Sequence, residues 1–392
     1  MRIALACLDP GIPLDGTKGA AVHFRSLARA LRRRGHRVDA VAMRLESPSA
    51  GSAARALDGV VDSVTIVPNG REAARAAIVA LDGGEGHGAL DAVYERLALF
   101  AAGALEAARE LDVPHVLEVN APLSEEAARW RGLGETAPEA RAAERASITG
   151  ADAVLPVSTA LARFAIDLGA RPERVRVVPN AVDPELFAPA ERAPRRVGDT
   201  FTIGFVGSLK PWHGLVLLAR ALGIAARRGH DAWRLRVVGD GPERGALEKA
   251  LAKESLFPAR AELLGAVPHA EIPREMARLD AAVVPYEDLP GFYFSPLKLY
   301  EALACAVPVV ASSVGDVPRE LDGGRLGALV PPGDAEAFVD ALRAIDVAPE
   351  KAHARALLAS ERIRTERTWE RNAIAVEEAV HASRRARSGS GA

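Results

Sequence analysis

Residues 291–312 read GFYFSPLKLYEALACAVPVVAS. Ser295 followed by Pro296 predicts a helix start, because serine can accept from free backbone N–H groups and proline at the first helical position has no N–H to leave unpaired. The run from Leu297 to Ala304 ends by Ala306, ahead of Pro308, and the apolar Val307, Val309, Val310 and Ala311 predict a short buried strand. A helix start presents unpaired N–H groups and the positive end of a dipole, which suits a phosphate. Lys298 and Glu301 share one helix face, with Glu301 about 4.5 Å further along the axis at ~1.5 Å per residue. A diphosphate could then sit at the helix start and on Lys298 while Glu301 accepts from ribose hydroxyls. The same spacing also fits a surface ion pair on an ordinary capped helix.

The segment resembles the C-terminal signature of retaining glycosyltransferases of family 4, with the GT-B architecture, in which two glutamates separated by seven residues precede a PVVAS-like strand. Glu301 matches the second glutamate, which binds the nucleotide ribose in that family. Tyr293 holds the position of the first, so the chain is similar to a variant branch reading SPLKxxE.

A chain of 392 residues exceeds the size at which one core keeps growing, so two domains are expected. With 49% hydrophobic and 26% charged residues it has the composition of a folded protein, and a formal charge of −2 argues against a general nucleic-acid binder. Cys7 and Cys305 both lie in apolar segments, which makes neither a disulfide framework nor a metal cluster and fits a reducing cytoplasm. The opening MRIALACL is too short for a signal peptide, and no run approaches the ~20 apolar residues that cross a bilayer.

In the first half, Arg2–Leu8 reads as a buried strand, followed by a loop with Gly11, Gly16 and Gly19 and a helix from about Ala21 to Arg34. The loop lacks G-x-G-x-x-G, which removes the main support for a dinucleotide dehydrogenase. Gly19 permits close approach of backbone to a ligand. Arg25, Arg29, Arg32, Arg33 and Arg34 make the helix basic and amphipathic, which fits either a solvated face or a weak peripheral contact with anionic lipid at the inner membrane face. Strands follow at 37–42, 60–67, 92–94 and 115–119, with helices at 72–80 and 97–110, a doubly wound parallel pattern that binds ligands beyond the strands' carboxyl ends. Two polar clusters sit at such ends: Tyr94, Glu95 and Arg96, and Glu118 with Asn120. Glu118 is the catalytic candidate there, and Glu95, Arg96 and Asn120 are acceptor-side candidates. Helix capping and loop hydrogen bonding are the alternative readings. Ser124–Ser147 reads as a charged helix with Trp130 near Gly132 and Gly134, a candidate flap over an acceptor. ADAVLPVS followed by VVPNAVD resembles the end of the family's first domain.

Pro184–Thr200 reads as a linker, after which the alternation restarts with FTIGFVGSLKPWHG. Gly207 closes the strand Phe201–Val206 and lets backbone N–H groups approach a phosphate. Ser208 stands where the family carries an arginine and His213 where it carries a lysine, and Lys210 can supply the missing charge. An adjacent diphosphate would favour protonation of His213. Gly239 opens a GDGP turn like the family's. Val267 and His269 resemble the segment whose backbone meets the nucleobase, and Glu287 and Asp288 can hold sugar hydroxyls.

The resemblance implies two Rossmann-like domains facing across a cleft. They are an acceptor-side domain over 1–190 and a nucleotide-sugar domain over 191–360, with a C-terminal helix over 361–383 packing back on the first and a disordered tail over 384–392. It implies a retaining glycosyltransferase that uses a UDP-, GDP- or ADP-linked sugar donor and a carbohydrate, lipid-linked or small-molecule acceptor, with no metal required. Lys210, Lys298 and Glu118 are the catalytic candidates. Gly19, Gly207, Ser208, His213, Gly239, Val267, Ser295, Pro296, Leu297 and Glu301 are the donor-binding ones. A non-catalytic nucleotide-sugar binding protein and a GT-B sugar-nucleotide epimerase are the alternatives.

Overall fold

The computed structural model describes residues 1–46, 57–68, 70–84, 88–130, 137–191 and 195–389. The chain forms two compact units. One comprises Met1–Asn180, Tyr293–Ser295 and Trp369–Ala392, and the other Ala181–Phe292 and Pro296–Thr368.

The first unit contains β1 (Arg2–Cys7), β2 (Arg37–Ala42), β3 (Ser63–Ile66), β4 (Ala92–Arg96), β5 (His115–Val119) and β6 (Ala153–Pro156), all parallel, in the order β3-β2-β1-β4-β5-β6. The second contains β7 (Phe201–Val206), β8 (Trp233–Val238), β9 (Ala261–Gly265), β10 (Ala281–Val284), β11 (Val309–Ser312) and β12 (Ala328–Val330), also parallel, in the order β12-β11-β10-β7-β8-β9. Parallel strands covered by helices on both faces must be apolar throughout, and β1 (RIALAC) is buried along its whole length. Each unit is therefore a doubly wound α/β sheet. The strand order reverses between β1 and β4 and again between β7 and β10, the places where such sheets bind ligands.

Packing sets the element ends more sharply than the pattern of residues does. The helix expected over 97–110 begins only at Gly103, because Phe100 takes φ 61° in the turn before it. The helix expected from about Ala354 to Ser383 is two helices, Pro349–Glu366 and Trp369–Gly389. They part because Thr368 bridges to Val182, and the Val182 N–H donates to Arg367 O at 2.8 Å. The second of them packs in the first unit, where Ala373, Val376 and Val380 are buried and Asn372 donates to Pro179 O at 2.9 Å. It stays helical to Gly389 rather than fraying at 384, since Arg384 donates to Asp91 O at 2.8 Å and Arg387 pairs with Asp152 at 2.7 Å. The chain leaves the first unit at Asn180, ahead of the proline-rich stretch expected to mark the boundary. Residues 131–136 and the Trp130 side chain, on which the flap reading falls, lie outside the described residues, as does Pro194.

Candidate active site

In the second unit, Gly207 follows β7 with φ 141°. A Cβ there would stand 2.9 Å from Lys298 Cε and 3.2 Å from Nζ, so the glycine makes room for the lysine. Lys298 belongs to the helix Leu297–Ala304, which follows the loop after β10. Its ammonium lies 4.4 Å from the centre of the Phe205 ring and 5.3 Å from that of Tyr286, and has no hydrogen-bond partner. Burial pushes its pKa down to about 7, opposed by the Glu301 carboxylate. A buried ammonium that faces two aromatic rings and has no hydrogen-bond acceptor can take an anion as its partner.

Around it the structure revises several expectations. Gly207's own N–H is used by the sheet, donating to Val238 O at 2.9 Å, because the β7–β8 ladder continues one residue past the strand. Gly239 (φ 138°) is a close-approach residue: a Cβ on it would meet Gly207 O at 2.0 Å. His213 is buried, with Nδ1 2.5 Å from the Ser208 carbonyl oxygen and its ring 5.7 Å from Phe205 and 5.4 Å from Tyr286. Burial and then the neighbouring Lys298 push its pKa down to about 2, with the Ser208 bond opposing. Burial thus favours neutral His213 with Nδ1–H donating, and Lys298 and Lys210 remain as the lysines of the expected positive cluster. Lys210 precedes the short turn Pro211–His213, and the Ser208 side is exposed.

Ser295 does not cap the helix. Pro296 is the N-cap, and Ser295 accepts from the Asn180 N–H at Oγ (2.9 Å) and from Asn180 Nδ2 at its carbonyl (2.6 Å), within the first unit. Pro296 therefore opens the helix one step later than the Ser-Pro signal predicts. Leu297 supplies its first residue. Glu301, 8% exposed, has its Oε1 2.7 Å from His269 Nε2. Val267 is half-buried in the loop after β9, whereas Glu287 and Asp288 are exposed.

In the first unit, Glu118 is the hub of a buried network. His23 Nε2 lies 2.7 Å from Oε2, Tyr94 also donates to Oε2, Arg96 donates to Oε1 at 2.8 Å, and Asn120 donates to Oε1. Burial alone would raise the carboxyl's pKa, but His23, Arg96 and Tyr94 outweigh it and hold Glu118 well below the usual carboxylate range. A carboxylate so stabilised is a weak base, so Glu118 is suited to fixing its neighbours rather than to removing a proton. Glu95 points to the other face of the sheet, as strand alternation requires, and pairs with His115 at 2.8 Å. Both are fully buried, which takes Glu95 away from the acceptor-side group. Gly19 is the exposed first residue of the helix Gly19–Arg33. On that helix Arg25 donates to Gly16 O at 2.8 Å, and the charges of Arg32 and Arg34 are matched by Asp62 at 3.0 Å and Glu370 at 2.6 Å. Tyr293 donates to Glu126.

His23 is a functional-looking residue that the sequence reading passes over, and the side-chain partners of Asn180 and His269 are not visible in the motifs that contain them. His23 sits four positions before Leu27 on the apolar face of its helix, a polar break in that face that marks it. It packs edge-on against Trp369, 4.7 Å between ring centres, and its Nδ1 is 2.7 Å from Asn180 Oδ1. Asn180 and His269 lie in segments that resemble the family's, but nothing in those segments signals the partners His23 and Glu301.

Comparison with known proteins agrees with the two-sheet fold. Residues 17–186 match the family model described as Glycosyltransferase Family 4, and residues 200–345 match the one described as Glycosyl transferases group 1. The chain carries both domains of a GT-B glycosyltransferase. It is 34% identical over 178 residues to an exopolysaccharide phosphotransferase of Streptomyces coelicolor, 45% of this chain and 17% of that one. It is 33% identical over 205 residues to 2-deoxystreptamine glucosyltransferase of Streptomyces kanamyceticus, 49% of this chain and 51% of that one. The chain thus spans about half the length of this second relative and less of the first. Its fold is similar to that of HepE from Anabaena, solved in complex with UDP and glucose, with a TM-score of 0.75 at 20% identity over 97% of this chain and 100% of that one. Among the described residues no helix is long and apolar enough to cross a membrane, and no group of three His, Cys, Asp or Glu could hold a metal ion.

Proposed function

We propose that this protein transfers a glycosyl group from a nucleotide-diphosphate sugar to an acceptor hydroxyl with retention of anomeric configuration. The observation that carries the reading is the buried, unpartnered ammonium of Lys298 beside Gly207, at the point where the second sheet reverses its strand order. Transfer breaks the bond between the anomeric carbon and the diphosphate, and negative charge grows on the departing oxygen. Lys298, Lys210 and the first-turn N–H groups of the Leu297 helix would meet that charge in a water-poor site, where such interactions act most strongly. Glu301 takes ribose hydroxyls, and the backbone near Val267 meets the base. The acceptor's oxygen bonds to the anomeric carbon on the face the phosphate leaves, and its proton passes to that phosphate oxygen, so no protein base is needed. Glu118, with His23, Arg96 and Asn120, shapes the acceptor side. That a structural relative was solved with UDP and glucose supports a donor of this class.

The test is a thermal-shift panel of UDP, GDP, ADP and their sugar conjugates, since a ligand selective for the folded state raises apparent stability. Turnover with the stabilising donor follows, with product anomer read by NMR. A donor that stabilises and yields a product with retained configuration is expected. A tyrosine at position 293 favours a second reading, a nucleotide-sugar binding protein without turnover, and tight donor binding with no transfer or hydrolysis would carry it.

A further inference from the structure

Glu301 does not stand alone. His269 opens the short turn His269–Glu271 beyond β9, and its Nε2 lies 2.7 Å from Glu301 Oε1. Phe187, 1% exposed, packs against the imidazole with 5.2 Å between ring centres. Three separated segments of one unit therefore meet at this ring: the stretch ahead of β7, the turn after β9 and the helix after β10. A carboxylate oxygen accepts and cannot donate, so the forms of His269 that fit carry their proton on Nε2. That N–H fixes one oxygen of Glu301, and with it the plane of the carboxylate, while Oε2 stays outside the bond.

We propose that His269 is a positioning residue that holds the Glu301 carboxylate in the orientation that meets the two ribose hydroxyls, and so sets the preference for ribonucleotides over 2′-deoxyribonucleotides. The proposal rests on the assignment of Glu301 to ribose. A glutamate side chain has three rotatable bonds, and ordering them only when the ligand arrives would weaken binding. With Phe187 behind the imidazole and the imidazole against Oε1, that order exists before binding. Selectivity follows from the same restraint. A held carboxylate that faces a missing 2′-hydroxyl is left with an unsatisfied oxygen in a buried place, whereas a free one turns toward water and forfeits the discrimination.

The experiment measures Kd by calorimetry for UDP, GDP and ADP and for their 2′-deoxy counterparts, on the wild-type chain and on His269→Gln, His269→Asn and Glu301→Ala. Glutamine places an amide N–H where Nε2 stands, and asparagine is too short to reach. For the base that binds, the wild type should prefer the ribose form by about tenfold, the scale of one buried charge-assisted hydrogen bond. His269→Gln should keep that ratio and His269→Asn should bring it close to one. A ratio unchanged in His269→Asn but lost in Glu301→Ala overturns the positioning role and leaves the ribose assignment standing. A ratio unchanged in Glu301→Ala as well, with nucleotides still bound, overturns both. Absence of any nucleotide binding by the wild type overturns the proposed function and this inference with it.

Discussion

Gly207 and Lys298 occupy the same space: a Cβ on the glycine would lie 2.9 Å from the lysine's Cε and 3.2 Å from its Nζ. Gly207→Ala should therefore fold but displace Lys298, because the obstructed atoms are the end of a flexible chain. The positive φ adds a strain of about 1–3 kcal/mol. A melting temperature lowered by several degrees, with at least tenfold weaker donor binding by calorimetry, is the expected pair of results. Gly239→Ala should behave differently, since its Cβ would stand 2.0 Å from a backbone oxygen, Gly207 O, that cannot move without parting β7 from β8. Little folded protein is expected, and normal melting of Gly239→Ala would contradict this packing.

The Glu118 network should appear in stability before it appears in activity. Removing one partner of a buried, hydrogen-bonded charge group costs about 3–5 kcal/mol, so Glu118→Gln should lose stability on that scale in urea unfolding at pH 7. The sign of the pH dependence follows from the lowered carboxyl. Between its folded and unfolded values the unfolded chain binds the extra proton, so this contribution is whole above about pH 5, beyond the unfolded Glu value of ~4.3, and drains as pH falls. Wild type should thus lose more stability than Glu118→Gln between pH 6 and pH 4. Parallel curves would show that the carboxylate is not held by its neighbours.

What could be read from the chain alone was whatever local order encodes. Alternating strands and helices give two parallel sheets, because a buried run such as RIALAC fits nothing else well, and the Leu297 helix stands where its flanking proline and strand place it. Distant partners were hidden. Ser295 looks like a cap in its own tripeptide, but Asn180 occupies both its hydroxyl and its carbonyl. Glu95 and Arg96 look like one cluster until strand alternation sends them to opposite faces, and His213 looks cationic until burial beside Lys298 makes it neutral. The pairing of His269 with Glu301 spans 32 positions and leaves no periodic trace.

Glu301→Ala should weaken nucleoside diphosphate binding by about 1.5–3 kcal/mol through loss of charge-assisted hydrogen bonds to hydroxyls. The fold should survive with modest loss, because the helix bearing Glu301 is anchored by Leu299, Tyr300 and Leu303, each 1% exposed or less. Calorimetry alongside circular dichroism separates the two effects. Unchanged affinity with an intact spectrum would remove Glu301 from the site.

Lys298 makes donor binding depend on pH. Burial lowers its pKa to about 7, so in the free protein the ammonium loses its proton as pH rises through neutrality. A bound diphosphate favours the charged form and raises that value, so above pH 7 each binding event takes up a proton and affinity falls by up to about tenfold per pH unit. The phosphates of a nucleotide sugar are diesters that do not titrate near neutrality, which assigns the proton to the protein. Calorimetry with the stabilising nucleotide sugar, in buffers of different ionisation enthalpy at pH 7.5 to 8.5, should show net uptake in the wild type and much less in Lys298→Met. Stability without ligand should move the opposite way. Between about pH 7 and the unfolded lysine value of ~10.4 the unfolded chain holds the extra proton, so this residue's destabilising contribution shrinks as pH rises. Equal proton uptake by wild type and Lys298→Met would show that the anion is met by some other group.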